Sequence, residues 1–218
     1  MSRNIKVKGV GKLNLRPDTM SVSLKNTNTL EKYEDAVAKS TYDVGEIRNC
    51  ITKAGLEAKD LKTSSFKIDA AYESYYDKEK NYKSRFVGYK YIHNLHIEFP
   101  IDNKVLGKLL YELSKSEVEL EFSISYTVED KEKANKELLK LAILDAKENA
   151  ELFCDALGNK LGQVSEINYS WSELDIYTYP IKDSLNIQAS KMSKSLDIDI
   201  EPEDISISDS VTVIWDIL

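Results

Sequence analysis

DKEKANKELLKLAILDAKENAELFCDALGNKLGQV, residues 130–164, is the stretch from which the fold can be read. Leu139, Ile143, Ala146, Ala150, Phe153 and Leu157 recur at alternating spacings of four and three. That period places them on one side of an α-helix and predicts a helix laid on a core. Asp130 opens the helix, Gly158 supplies a left-handed stop, and Leu161-Gly162-Gln163-Val164 restarts the chain as a strand. The stretch specifies architecture and carries no recognisable chemistry.

Working outward, residues 4–15 alternate, with Ile5, Val7, Leu13 and Leu15 on one face and lysines and Asn14 on the other. Gly9 and Gly11 share the buried parity, so another element is expected to come close there. Arg16-Pro17-Asp18-Thr19 reads as a turn into a second strand, and the pair as an antiparallel hairpin. Asn28 and Glu31 mark a helix start, the stripe Tyr33, Val37, Ser40, Val44, Ile47, Ile51 and Ala54 follows, and Gly55 ends it. Residues 61–72 and 86–99 read as two long strands, the second with Val87, Tyr89, Tyr91, Leu95, Ile97 and Phe99 on one face. The whole of 61–99 is expected to project as a hairpin whose tip holds Tyr75, Tyr76 and Tyr82. Asp102 caps a shorter helix bearing Leu106, Leu109, Leu110 and Leu113. A strictly alternating strand runs from Val118 to Val128, and Ile167, Tyr169 and Trp171 mark another. Residues 174–204 lose periodicity and read as a long loop before a closing strand, Ile205 to Ile217.

The fold class expected from this order is α+β. It consists of about seven strands in a mainly antiparallel sheet, three helices on one face, and a ferredoxin-like βαββαβ unit from the second strand onward. Helices separated by paired strands exclude a doubly wound parallel sheet.

Composition narrows the function classes. The 218 residues carry 42% hydrophobic and 31% charged side chains with a formal charge of −7, an ordinary globular balance. No basic run offsets the acidity, which argues against nucleic acid or an anionic membrane as partner. No apolar run approaches the ~18–20 residues of a membrane span, and no apolar signal-peptide core follows Met1, so a cytoplasmic location is expected. Cys50 and Cys154 lack metal spacing and are expected to be buried free thiols.

In this order the chain resembles the SIMPL-domain family nearly end to end, as a single domain over 1–218. The resemblance rests on Val7-x-Gly9-x-Gly11 with Pro17-Asp18, Gly55-Leu56, Asp60-Leu61-Lys62-Thr63, Gly88-Tyr89 and Asp102 with Leu106-Gly107. It rests most on Ala142, Ala146 and Ala150 followed by Leu157-Gly158-x-x-Leu161-Gly162-x-Val164, and then on the close from Ile205 to Trp215. The family takes its name from an animal signalling protein that associates with a kinase. Bacterial members have been linked to oxidative stress, many are exported, and some assemble into oligomers. The resemblance defines no catalytic residues. It implies a stress-related binding module that self-associates.

Candidate chemistry is thin. His93 and His96 sit at an odd offset that sends them to opposite faces of a strand, which is wrong for a shared metal. Val7-Lys8-Gly9-Val10-Gly11 resembles a dinucleotide fingerprint but lacks the third glycine and the following helix. Asp197, Asp199, Glu201, Glu203 and Asp204 lack a calcium-loop register and read as the charged face of an edge strand. No Gly-x-Ser-x-Gly elbow is present, so no catalytic, cofactor or metal residues are assigned and an enzyme is not expected. The positive signal is aromatic. Tyr72, Tyr75, Tyr76, Tyr82, Tyr89 and Tyr91 crowd one hairpin and suit a protein interface, with a homo-oligomer as the expected partner. The alternative is a small apolar ligand held between sheet and loop 174–204 against Trp171 and Trp215.

Overall fold

The computed structural model describes residues 3–170, 176–183 and 200–218. The chain runs β1 (Asn4–Leu15), β2 (Thr19–Leu30), α1 (Tyr33–Ala54), a 3-10 turn, β3 (Lys62–Tyr76), β4 (Tyr82–Pro100) and α2 (Asn103–Lys115). It continues with β5 (Leu120–Thr127), α3 (Lys131–Ala156), β6 (Leu161–Asn168), the short β7 (Ile181–Asp183) and β8 (Ile205–Ile217). The α+β class and the three helices agree with the sequence reading. The strands, however, form two sheets rather than one, in the orders β1-β8-β6 and β3-β4-β2-β5-β7. The chain separates accordingly into two compact units.

One unit comprises Thr19–Tyr126 and Tyr179–Glu201. Its β2-α1-β3-β4-α2-β5 segment places strands in the order β3-β4-β2-β5, the ferredoxin-like arrangement. β4 lies antiparallel to both β2 and β3, with Val22 opposite Ile97 and Leu24 opposite Leu95. Met20, Val22, Leu24, Ile47, Ile51, Leu95, Ile97, Leu106, Leu109 and Tyr126 form its core. Asp102 caps α2, its Oδ1 accepting from the backbone N–H groups of Lys104 (2.8 Å) and Val105 (3.1 Å). The start of α1 departs from expectation. Asn28 is a strand residue, the helix begins after Lys32 with no side-chain cap, and Ala36 and Asp43 are buried beside the expected Ser40, while Tyr33 and Val37 are exposed. Gly55 ends α1 at φ 96° as foreseen. β7 adds three residues beside β5 within the expected loop, pairing Phe122 with Asp183.

The other unit comprises Met1–Asp18, Thr127–Thr178 and Pro202–Leu218. The expected hairpin of the first two strands does not form: β1 pairs instead with β8, from Asn4 opposite Asp216 to Leu15 opposite Ile205. Alternation fixes which face of a strand is buried but not which strand lies beside it, and β1 and β2 enter different sheets on either side of Arg16-Pro17-Asp18. Likewise the helices do not share one face; α1 and α2 belong to the first unit and α3 packs on β1 and β8. Asp130 caps α3 by accepting from the Lys133 N–H at 2.8 Å, and Gly158 follows its end at φ 69°.

The buried line of α3 is not the one its large side chains suggest. Ala134, Leu138, Ala142, Ala146, Ala150 and Cys154 are buried, whereas Ile143, Phe153 and Leu157 are exposed. The glycines of β1 explain this. A Cβ on Gly9 would lie 2.1 Å from the Ala142 carbonyl oxygen, and one on Gly11 would lie 2.2 Å from that of Leu138. Helix and strand are in backbone contact, and the methyl-sized side chains of Ala142 and Ala146 suit that seam. Val7, Val211, Val213 and Trp215 complete the cluster beneath the alanines. The outer edge of β1 is stopped by α3: the Val10 N–H donates to Asp145 Oδ2 at 2.7 Å.

Candidate interface

Among the described residues, exposed aromatic side chains gather on the β3–β4 hairpin. A bulge separates its root from its outer half: Ala71 faces Gly88, but Tyr72 faces Phe86, leaving Val87 as the extra residue. Gly88 sits there at φ 139°, and a Cβ on it would come within 2.2 Å of the Leu30 carbonyl oxygen. Beyond the bulge the side-chain phase of β4 shifts, so Phe86 and Tyr82, rather than Val87, continue the row of Tyr89.

The resulting row is a run of edge-to-face ring contacts. Tyr33 meets Tyr89 at 5.7 Å between centroids, Tyr89 meets Phe86 at 5.3 Å, and Phe86 meets Tyr72 at 5.7 Å. Nearer the tip Tyr76 meets Tyr82 at 5.6 Å. Tyr72, Tyr76 and Tyr82 remain 64%, 71% and 67% exposed. Tyr75 is on the other face, where Arg85 stands 5.7 Å over its ring while holding Glu73 through Nε (3.0 Å) and Nη2 (2.6 Å). The tip is built on Asp77, whose Oδ1 accepts from the N–H groups of Glu79 and Asn81, both at 2.9 Å, and whose Oδ2 pairs with Lys83 at 2.8 Å. The Lys83 hydrogen bond, then that from Asn81, lowers its pKa below the ordinary carboxylate value.

Tyr91 does not belong to this surface. It is fully buried, and its hydroxyl donates to Asp43 Oδ2 at 2.6 Å. Asp43, itself buried, also accepts from Lys39 Nζ at 2.6 Å and Asn26 Nδ2 at 3.2 Å. Burial, followed by the bond to Asp43, pushes the Tyr91 phenol well above its usual range. A charged residue on a helix face offers no periodicity signal of burial, so this polar cluster was invisible in sequence.

Beside it, His93 bridges α1 and β3: Ser40 Oγ lies 3.1 Å from Nδ1 and Thr63 Oγ1 lies 3.0 Å from Nε2. Burial, aided by Arg48, lowers its pKa. His96 turns to the opposite face and meets Ser64 Oγ at 2.9 Å, as the odd offset requires. Among the described residues no three His, Cys, Asp or Glu side chains gather in a way that could hold a metal ion. Cys50 and Cys154 are free and buried; burial raises the Cys50 thiol pKa, and its Sγ donates to the Glu112 carbonyl at 3.4 Å.

Trp171, with Asp197 and Asp199, lies outside the described residues. Trp215 is 4% exposed and packed with Val7, Ala146, Ala150 and Val213. Glu201, Glu203 and Asp204 precede β8 without strand structure. No helix among the described residues is long and apolar enough to cross a membrane.

The structure thus brings Tyr72, Tyr76, Tyr82 and Tyr89 into one row, assigns Tyr75 to the other face, and adds Phe86 and Tyr33. No curated protein matches the chain. A family match covers residues 5–215 and carries the description SIMPL, protein of unknown function (DUF541). With the glycine–alanine seam, the closing strand and the match all spanning its length, the chain belongs to the SIMPL family.

Proposed function

We propose that this SIMPL-family chain is a non-enzymatic module that associates with further copies of itself through the β3–β4 arm. The observation that carries the reading is the exposed aromatic row running from Tyr33 to Tyr82. Aromatic rings left largely in water along one face are an interface composition, and paired strands of this length seldom stand alone in water. Buried Tyr91 is held on Asp43 and half-buried His93 lies between two hydroxyls, structural roles that support a binding rather than a catalytic reading. A stress-related scaffold is the role this assembly would serve.

The test is light scattering of the full chain beside a variant lacking residues 73–85 and the milder Tyr72→Ser/Phe86→Ser. A defined oligomer that weakens in both variants is expected. A monomer at micromolar concentration, unchanged by either, would remove the reading.

A further inference from the structure

β3 is an edge strand: among the described residues its strand neighbour is β4 alone. It runs fifteen residues, and from Ser65 to Tyr76 it contains neither proline nor glycine. Its side chains divide cleanly, with Phe66, Ile68, Ala70 and Tyr72 on the aromatic face and Lys67, Asp69 and Glu73 on the other. Natural edges of this length are usually blocked, as Asp145 blocks the Val10 N–H on β1.

We infer that β3 pairs with β3 of a second copy, antiparallel and centred on Ile68, so that the sheets of two copies become continuous. This deepens the self-association reading and rests on it. The register follows from charge. A two-fold axis normal to the sheet pairs residues of the same face, so the centre must fall on a residue. Centring on Lys67 or Asp69 sets two like charges directly opposite, and centring on Ala71 opposes Asp69 to Glu73. Centring on Ala70 sets Lys67 opposite Glu73 but leaves Asp69 opposite the uncharged Ala71. Centring on Ile68 sets Lys67 opposite Asp69 of the second copy twice over, and Phe66 opposite the small Ala70. Within one copy Lys67 and Asp69 already pair at 2.7 Å on exposed side chains, so both charges are available at the edge. The pairing puts the two aromatic rows on one face of the joined sheet, at its opposite ends.

Lys67→Asp and Asp69→Lys are each expected to weaken association of the full chain about tenfold, since each creates two like-charge cross-strand pairs. The double variant K67D/D69K restores opposite charges and is expected to recover association. In a separate variant, Ile68→Cys should form a symmetric disulfide under mild oxidation, whereas Tyr76→Cys, far from the axis, should not. Association that ignores both single reversals, or a double variant weaker than either single, overturns the edge pairing while leaving self-association standing. Crosslinking through Cys at 76 and not at 68 overturns it equally. A monomeric parent chain overturns both proposals together.

Discussion

Replacing Gly9 by alanine adds one methyl group to the point where β1 touches α3. An ideal Cβ there would lie 2.1 Å from the Ala142 oxygen, 2.3 Å from the Ala146 nitrogen and 2.6 Å from the Ala146 Cβ. The first two are helix backbone, so no rotamer change relieves the clash. Ordinary contact begins near 3.4 Å, so strand and helix must part by about 1.3 Å, a gap that forfeits about half of the dispersion energy of the atoms lining it. Overpacking of a tight core costs ~1–3 kcal/mol, and a rigid backbone neighbour places this site at the top of that range, about 3 kcal/mol. Gly45→Ala supplies the control, because nothing lies within 4 Å of its Cβ and it sits inside α1. There alanine should stabilise by ~0.5–1 kcal/mol. Both substitutions restrict the unfolded chain alike, so the difference in sign isolates native packing. Urea unfolding followed by far-UV circular dichroism measures both. A Gly9→Ala midpoint equivalent to less than ~0.5 kcal/mol of destabilisation would refute the backbone-contact account of the seam.

Further outcomes follow from the polar clusters. Asp43→Ala strips the buried Tyr91 hydroxyl of its acceptor and should cost about 3 kcal/mol in the same unfolding assay; Tyr91→Phe, which leaves Asp43 its bonds from Lys39 and Asn26, should cost less. Because folding raises the Tyr91 pKa, its contribution is full below the unfolded value of ~10 and declines as pH rises above it. Absorbance at the tyrosinate band should therefore show this phenol ionising only with unfolding, and an early, complete titration of all tyrosines would contradict the burial. His93 behaves oppositely. Its folded pKa is depressed, so its contribution is present above ~6.5 and is lost as pH falls through the folded value; His93→Gln should flatten that limb of the stability curve. Both thiols should resist a disulfide reagent until the chain unfolds, and rapid labelling of Cys50 in the folded protein would contradict its buried setting.

Much of the architecture was legible because it is local. Gly55, Gly158, Asp102 and Asp130 announce helix ends through backbone geometry and capping chemistry, and each does what its residue type implies. Strand partners were not legible, because alternation in β1 is satisfied equally by β2 and by β8. The buried line of α3 was misread toward its larger side chains. The readable clue was Gly9 and Gly11 on the buried face of β1, which demand a partner helix lined with small residues. On the arm, strict alternation pointed to Val87, and the bulge moved the row onto Phe86. An extra residue in a strand has no signature beyond the glycine next to it. Asp43 escaped for a different reason: a charged side chain buried in a satisfied cluster looks, in sequence, like surface.

The unequal treatment of strand edges sets what kind of assembly the chain can build. β1 is stopped by a carboxylate, β6 carries two register irregularities within its eight residues and β7 is three residues long, whereas β3 runs from Ser65 to Tyr76 with no extra residue of its own. On the edge pairing proposed above, the described residues offer one such margin, and in the language of polymer chemistry the chain is monofunctional. A monomer with one reactive end terminates after a single coupling, and edge pairing then yields a closed pair instead of a growing fibre. Removing the stop, by Asp145→Ala, would raise the functionality to two and turn a terminating unit into a chain extender.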